Sequence, residues 1–295
     1  VYPEPMRAGR PAGGGPITRA RAWMRTAVRS DAARREAAID EQLARAAPMT
    51  RPNTIAVISP KGGVGKTALS FVLGDLLASQ LHLRVVALDV NPDFGTLASL
   101  AGDEHRSSRS LAELLADAAR VHSPAELHAY VSRLPSGLHV LGAPAHAEVM
   151  AQVTPGLYAR LVDFLEGFYE VVILDLGSGV TDPLTRFAVG RADQSLLVTT
   201  PEWVTAAGVL RALRHLAPED GTVVVNQVPG GRRAAQCDAI IDHFRSHGIA
   251  TRATIPYDER LHAMLDSGTY AFSELGSGTR VPVKQLAATI AARFV

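Results

Sequence analysis

Cysteine, lysine and long apolar runs are all scarce in this sequence of 295 residues. The single cysteine, Cys237, excludes an internal disulfide framework and any CxxC metal or cluster site. No apolar run approaches the roughly 18 residues that a membrane-spanning helix needs, and no apolar core of a secretory signal follows the first positive charges. We therefore expect a cytoplasmic protein without a transmembrane segment.

Charge is distributed unevenly along the chain. Residues 1–52 contain ten arginines and five acidic residues, a net charge of +5, so the rest of the chain carries −4 of the overall +1. Apolar residues make up 47% and charged residues 20%, which is typical of a globular protein. The sequence therefore predicts a basic arm ahead of one mildly acidic main domain.

The arm itself has two parts. Its first sixteen residues contain four prolines and four glycines, which predicts a flexible segment. Residues 17–47 contain neither, and their apolar residues recur at spacings near four and seven, which predicts a basic amphipathic helix. We expect residues 1–52 to form this extension and residues 53–295 to form the main domain.

Short apolar runs alternate with helical patterns from residue 53 onward. The predicted strands are Thr54–Ser59, Arg84–Asp89, Leu138–Leu141, Val171–Asp175, Ser195–Thr199, Thr222–Asn226 and Arg252–Ile255. The predicted helices are Lys66–Ala78, Leu111–Ala119, Pro155–Phe168, Val204–Leu216, Arg233–His247 and Lys284–Val295. Continuous Val/Ile/Leu runs between helices indicate an α/β fold with a mostly parallel sheet flanked by helices, and ligands bind beyond the carboxyl ends of such strands.

A glycine-rich loop, Ser59-Pro60-Lys61-Gly62-Gly63-Val64-Gly65-Lys66-Thr67, follows the first strand and opens a helix. Glycines allow backbone N–H groups to surround phosphate oxygens at a helix N-terminus. In such a loop Lys66 would contact the β- and γ-phosphates and Thr67 would bind Mg²⁺. Proline at position 60 departs from the usual phosphate-loop pattern, and a plain glycine-rich turn is the alternative. Two of the three lysines lie here, in a chain that otherwise uses arginine.

The motif KGGVGKT, with Lys61 ahead of the paired glycines, resembles the deviant Walker A motif of the MinD/ParA family of dimerising ATPases. Further matching segments follow in the family's order over residues 53–295: ALDVNPDFGTLA, VVILDLGSG, VTTPE, VVVNQ and IPYDERLHAMLDSG. The resemblance implies a P-loop NTPase fold that binds ATP and Mg²⁺, and a homodimer in which Lys61 reaches the partner's nucleotide. The sequence looks closest to actinobacterial MinD-like ATPases associated with type VII secretion.

Three strand-end residues are candidate catalytic groups. Asp175 ends an apolar strand and would hold Mg²⁺ through water, as a Walker B acid does. Asp89 ends the neighbouring strand and would orient water or the metal, although both acids are also common turn residues. The family usually has an acid at the position of Asn91, and an amide cannot accept the proton of the attacking water. We therefore expect slow hydrolysis, with Asp93 as a substitute acid.

Further candidates surround the proposed nucleotide. The resemblance implies that Asn226 pairs with the adenine edge and that Pro256, with Tyr257, packs beside the base; a strand-end turn is the alternative for Asn226. Ala68 replaces a threonine that is common after the motif, which changes packing more than chemistry. The ten histidines show no metal-ligand spacing.

Two groups of basic residues are candidate partner surfaces. Arg211, Arg214, Arg232 and Arg233 would contact phosphates of nucleoid DNA without reading sequence, and solvated surface arginines are the alternative. The helix at residues 17–47 would lie on an anionic membrane, or pack on its own domain or on a partner helix.

The sequence supports two functions. The first is an ATP-dependent dimerising switch with slow hydrolysis, which binds Mg-ATP between two subunits and recruits a protein partner. The second is a structural adaptor that binds ATP with little or no turnover, which Asn91 favours. Iron–sulfur carriers and tyrosine autokinases are disfavoured, because the cysteines of the former and the tyrosine-rich tail of the latter are missing.

Overall fold

The computed structural model describes residues 31–45, 48–91, 95–230, 234–249 and 251–294. Eight strands form one sheet in the order β3-β4-β2-β5-β1-β6-β7-β8. The strands are β1 Asn53–Ile58, β2 Val85–Val90, β3 Ser132–Arg133, β4 Leu138–Leu141, β5 Val171–Leu176, β6 Gln194–Thr199, β7 Gly221–Val228 and β8 Thr251–Pro256. All pairings are parallel except that of β3 with β4, so the predicted α/β class is confirmed.

Helices cover both faces of the sheet. The first, α1, spans 31–44. The others are α2 Lys66–Leu81, α3 Leu111–Asp117, α4 Pro124–Leu127, α5 Ala147–Met150, α6 Pro155–Glu166, α7 Pro183–Arg191, α8 Trp203–Leu216, α9 Ala234–Ser246, α10 Glu259–Asp266 and α11 Ser277–Ala291. One core cluster contains side chains of α1, α2 and α11, and the other contains those of α6, α8 and α9. Within the described ranges, no helix is both long and apolar enough to cross a bilayer.

The largest error in the predicted elements is the last helix. The sequence predicted it over Lys284–Val295, but α11 begins at Ser277 and ends at Ala291. Pro282 lies in its second turn, where proline removes one backbone donor without ending the helix. The apolar residues Val283, Leu286 and Ile290 are buried, and this packing outweighs the lost hydrogen bond.

Helix α1 packs on the main domain, which is one of the alternatives that the sequence left open for the helix predicted over residues 17–47. Ile39 and Leu43 are buried in the core cluster that includes α2 and α11. Around them, Glu36 accepts hydrogen bonds from Nε and Nη2 of Arg280, each at 2.8 Å. Lys284, which is 7% exposed, donates to Asp40 at 2.7 Å and lies 3.0 Å from Glu36. Residues 17–30 lie outside the described residues.

This ion cluster predicts an acid-sensitive contribution to stability. The hydrogen bonds from Arg280, assisted by Lys284, lower the pKa of Glu36 from 4.5 to about 2. A carboxyl whose folded-state pKa is lowered stabilises the fold above its unfolded pKa, and that stability is lost as the pH falls from 4.5 towards 2.

Denaturant unfolding at pH 7 and pH 3 tests this contribution. We expect Glu36→Gln to be less stable than the parent at pH 7 and to lose less stability between the two pH values. Glu41→Gln is the matched control, because Glu41 pairs with Arg45 on the exposed face of α1. Equal pH dependence in the parent and Glu36→Gln would contradict the assignment.

Candidate functional site

The glycine-rich loop joins the carboxyl end of β1 to α2 near the centre of the sheet. Gly63 and Gly65 have φ angles of 75° and 86°, a left-handed conformation that favours glycine. Val64 between them is buried and fixes the loop to the core. The N-cap residue of α2 is Gly65, which has no side chain to cap the helix, so the first N–H groups of α2 can bind an anion.

Lys66, at the first position of α2, fits a phosphate site. Its side chain is half-buried, and burial lowers the pKa of its ammonium group while the charge of Asp175 opposes that change. Across the part of the chain that the structure describes, no acceptor forms a hydrogen bond with Nζ. A half-buried cation without an acceptor is costly, and a phosphate oxygen would supply the missing acceptor.

Asp89 and Asp175 lie side by side at the carboxyl ends of β2 and β5, where they are paired in the sheet register. Both carboxyl groups are buried. Burial and the charge of Asp89 raise the pKa of Asp175 to about 7, against the lowering effects of Thr67, Lys66 and Ser70. Carboxylate and hydroxyl oxygens are suitable Mg²⁺ ligands, so Thr67 and Asp175 together form a site that fits the ion.

Ser70 belongs to this group, although the sequence analysis did not single it out. Its hydroxyl oxygen is fully buried and lies 3.1 Å from Oδ1 of Asp175 and 3.0 Å from the carbonyl oxygen of Lys66. Ser70 lies one helical turn after Lys66, a spacing that places both on one face of α2. The sequence feature that could have identified Ser70 is a polar residue four positions after the motif lysine.

Asp89 holds the loop that follows β2. Its Oδ2 accepts from the backbone N–H of Leu97 at 2.9 Å and its Oδ1 from that of Asn91 at 3.2 Å. A Cβ atom on Gly95 would lie 2.3 Å from Oδ2, so the loop requires glycine there. These two hydrogen bonds give Asp89 a structural role in the loop, and each carboxylate oxygen keeps a lone pair for the predicted contact with water or metal. Asp93 lies outside the described residues.

Lys61 contacts its own chain. Its Nζ donates to Oε2 of Glu202 at 2.9 Å and lies 3.4 Å from Oγ1 of Thr205, near the start of α8. The side chains of Lys61 and Glu202 are 50% and 60% exposed. The predicted contact of Lys61 with a partner subunit therefore requires this ion pair to open.

Asn226 and Gln227, which lie on β7, donate side-chain hydrogen bonds to the glycine-rich loop. Nδ2 of Asn226 donates to the carbonyl oxygen of Val64 at 2.9 Å, and Nε2 of Gln227 donates to that of Gly63 at 3.2 Å. A Cβ atom on Gly65 would lie 2.4 Å from Nδ2 of Asn226, so glycine permits this close approach. One N–H of the Asn226 amide is used by the loop, and its Oδ1 and second N–H remain for the predicted contact with adenine.

A cleft of about 500 Å³ lies beside these hydrogen bonds and contains Gln227, Pro229, Glu202 and Tyr257 in its wall. Pro256 ends β8 immediately before Tyr257. Tyr257 is half exposed in this cleft, and an exposed aromatic ring is a surface on which a planar base can stack.

The other residues that the sequence predicted for the site or for partner surfaces have varied locations. Arg211 and Arg214 lie exposed on α8, whereas Arg232 and Arg233 lie outside the described residues. Gly62 is exposed in the loop, and Ala68 packs against a core cluster. Among the residues that the structure describes, no group of three histidine, cysteine or acidic side chains forms a metal cluster.

Residues 55–269 match the family model of the CobQ/CobB/MinD/ParA nucleotide binding domain. The ESX-1 secretion-associated protein EspI of Mycobacterium tuberculosis is 29% identical over 220 residues, which cover 71% of this chain and 32% of EspI. The chain thus spans about a third of the length of that relative. The name of EspI agrees with the predicted resemblance to secretion-associated members of the family.

Two solved structures share the fold. A ParA family ATPase from Chlorobium tepidum superposes with a TM-score of 0.69 at 20% identity, covering 80% of this chain and 98% of that one. MinD from Pyrococcus horikoshii, complexed with Mg-ADP, gives a TM-score of 0.65 at 20% identity, covering 81% and 96%. The matched family model covers most of the chain, including the loop with both lysines. The chain therefore belongs to the CobQ/CobB/MinD/ParA nucleotide-binding family, as its sequence motifs predicted.

Proposed function

We propose that this protein is an ATP-dependent dimerising switch that binds Mg-ATP between two subunits and hydrolyses it slowly. The observation that carries the proposal is the glycine loop with two differently placed lysines. Lys66 is half-buried and has no hydrogen-bond acceptor in the described ranges, whereas Lys61 is half exposed at the loop surface. The first suits a nucleotide bound by the same chain, and the second suits one bound by a neighbour.

Different residues around the loop would bind the phosphates and the Mg²⁺ ion. Backbone N–H groups of the loop and the side chain of Lys66 would hold the phosphates. The side chains of Asn226 and Gln227 donate hydrogen bonds to carbonyl oxygens of the loop and stabilise its conformation. Thr67 and Asp175 would hold Mg²⁺, which, when bound, neutralises charge on the β- and γ-phosphates. The Mg-ADP complex of the P. horikoshii MinD supports this choice of ligand.

Asn91 sets the expected rate of hydrolysis. It follows β2 directly and its side chain cannot accept a proton from water. We expect basal turnover below the usual enzyme range of about 1–10³ s⁻¹. Asn91→Asp should accelerate phosphate release and shorten the lifetime of the dimer, because a carboxylate supplies the missing base.

Asn91→Ser is the control, since it removes the amide without adding a carboxylate. Phosphate release from ATP, measured with and without anionic vesicles or DNA, would separate the switch from an adaptor. Stimulated turnover supports the switch, and no turnover in the parent or in Asn91→Asp under any condition supports the adaptor. Fast basal turnover in the parent would contradict the role of position 91.

The surface next to Lys61 suits a second copy of this chain. Trp203, Val204 and Tyr257 are exposed there by 49%, 77% and 50%, and exposed apolar groups around a binding cleft are typical of an interface. The Lys61–Glu202 pair is solvent-exposed, so its contribution to stability is about 0–1 kcal/mol. Lys61 can therefore exchange this pair for a phosphate of the partner's nucleotide at little cost.

The likeness to EspI supports a protein partner connected with ESX-type secretion, reached from the cytoplasm. The basic arm supports an additional anionic surface. Residues 1–30 contain six arginines and one glutamate, so the whole +5 charge of the arm lies ahead of α1. Exposed Arg211 and Arg214 are the alternative contacts for DNA.

Deleting residues 1–30 tests the arm without disturbing the packed helix α1. We expect ATP binding and thermal stability to persist, while co-sedimentation with anionic vesicles falls to the level seen with neutral vesicles. Binding of the parent should weaken steeply with salt, because it depends on exposed charges. The double variant Arg211→Gln/Arg214→Gln is the control. Vesicle binding that survives the deletion would assign the contact to another surface.

A further inference from the structure

A second pocket lies at the edge of the sheet opposite the phosphate loop. It has a volume of about 390 Å³, within the range of about 300–1,000 Å³ that is typical of small-molecule sites. Arg84 precedes β2, His139 is the second residue of β4, and Tyr169 precedes β5. The pocket therefore lies at the amino ends of these strands, whereas the phosphate loop follows the carboxyl end of β1.

The interior of this pocket is effectively apolar. Ala78 of α2, Leu127 of α4 and Phe168 contribute to its walls. Two polar side chains of the lining are paired with each other, since the Tyr169 hydroxyl lies 2.8 Å from Nδ1 of His139. Burial lowers the pKa of His139 to about 4, and burial raises the pKa of Tyr169, so both are neutral at physiological pH. An apolar chain or ring can fill this space without leaving a charge or an unpaired polar atom.

The rim of the pocket contains hydrogen-bond donors, among them the guanidinium of Arg84 and the imidazole of His128. The guanidinium of Arg133 lies beside the rim, where its Nη1 donates to Nδ1 of His128 at 3.4 Å. Arg84 lies at the mouth and binds Glu170 through its backbone N–H and Nε. Its Nη groups bind no partner in the described part of the chain, and no described residue that lines the pocket is acidic.

We propose that this pocket binds a small carboxylic acid with an apolar chain or ring. The apolar part lies between Leu127 and Phe168, and the carboxylate lies at the rim beside Arg84 and His128. The arrangement matches an amphiphile whose two ends differ, because the interior excludes charge and the rim favours a negative one. The inference does not depend on the nucleotide site, which lies at the other edge of the sheet.

Three eight-carbon probes test the proposal by calorimetric titration into the full chain. Octanoate, octanol and octylammonium share one apolar tail and differ in head-group charge. We expect octanoate to bind about tenfold more tightly than octylammonium, a difference of about 1.4 kcal/mol, with octanol between them. Equal binding of all three probes, or no binding of octanoate at millimolar concentration, would overturn the proposal.

Two variants locate the binding. Ser136→Phe places a ring in the pocket and should weaken octanoate binding at least about tenfold, whereas Ser108→Phe on an exposed loop should not. Arg84→Gln should weaken octanoate about three- to tenfold and leave octanol unchanged, and Arg211→Gln should change neither. ATP binding to the same samples confirms that each variant is folded. Octanoate binding that is unaffected by both Ser136→Phe and Arg84→Gln would refute the site.

Discussion

The Lys66→Ala variant is expected to bind ATP at least about a hundredfold more weakly than the parent. Hydrogen bonds to charged groups contribute about 1.5–3 kcal/mol each, and Lys66 would contact more than one phosphate oxygen. Without nucleotide, the Lys66→Ala variant should be no less stable than the parent. Burial lowers the pKa of the Lys66 ammonium group, which means that the charged side chain destabilises the folded state of the parent. Calorimetry gives the affinity, and thermal unfolding without nucleotide gives the stability.

Lys284→Ala is a matched control within the same chain. Lys284 is also buried, but its Nζ is bound by Asp40 and Glu36. Its removal takes away the ion-pair partner of Asp40 and leaves Glu36 with Arg280 alone. We expect this variant to be less stable and to bind ATP normally, the reverse of Lys66→Ala. Unchanged ATP affinity in Lys66→Ala would show that the phosphate site has been assigned wrongly.

The Lys61→Ala variant is expected to keep most of the ATP affinity of the monomer and to lose ATP-dependent dimerisation. A dimer with two nucleotides would lose one charge-assisted contact at each site, about 3–6 kcal/mol for the pair. Light scattering at fixed protein concentration should show the monomer mass with and without ATP.

Glu202→Gln separates the two contacts of Lys61. It removes the acid that holds Lys61 within its own chain but keeps the lysine. If Lys61 acts on the partner's nucleotide, only Lys61→Ala loses the dimer. If Lys61 instead serves to position Glu202 and α8, Lys61→Ala and Glu202→Gln should lose ATP-dependent dimerisation equally. A Lys61→Ala variant that dimerises like the parent would remove the case for contact between subunits.

The strands and the glycine-rich loop were predictable because the sequence pattern of each lies within a few neighbouring residues. The loop Ser59–Thr67 combines glycines, a preceding strand and a following helix, and all three features appear in the structure. The apolar runs predicted the starts of all seven longer strands within one residue, because strands that are buried on both faces need continuous apolar residues. β3, with two residues, is too short to give such a pattern.

Contacts between distant residues were not predictable in this way. Glu202 is 141 residues from Lys61, and Asp40 is 244 residues from Lys284. Their pairing depends on which strands and helices become neighbours, and a single sequence contains no local record of it. The same holds for the hydrogen bond from Asn226 to the carbonyl oxygen of Val64, which joins residues 162 positions apart.

The central claim is that ATP joins two copies of this chain, and sedimentation velocity of the parent tests it most directly. The protein should sediment as a monomer of 31.3 kDa without nucleotide or with ADP and Mg²⁺. With ATP and Mg²⁺ it should sediment at twice that mass, and the shift should disappear in Lys61→Ala while ATP remains bound. A mass that stays the same with ATP at saturating concentration, or that doubles equally with ADP, would contradict the switch.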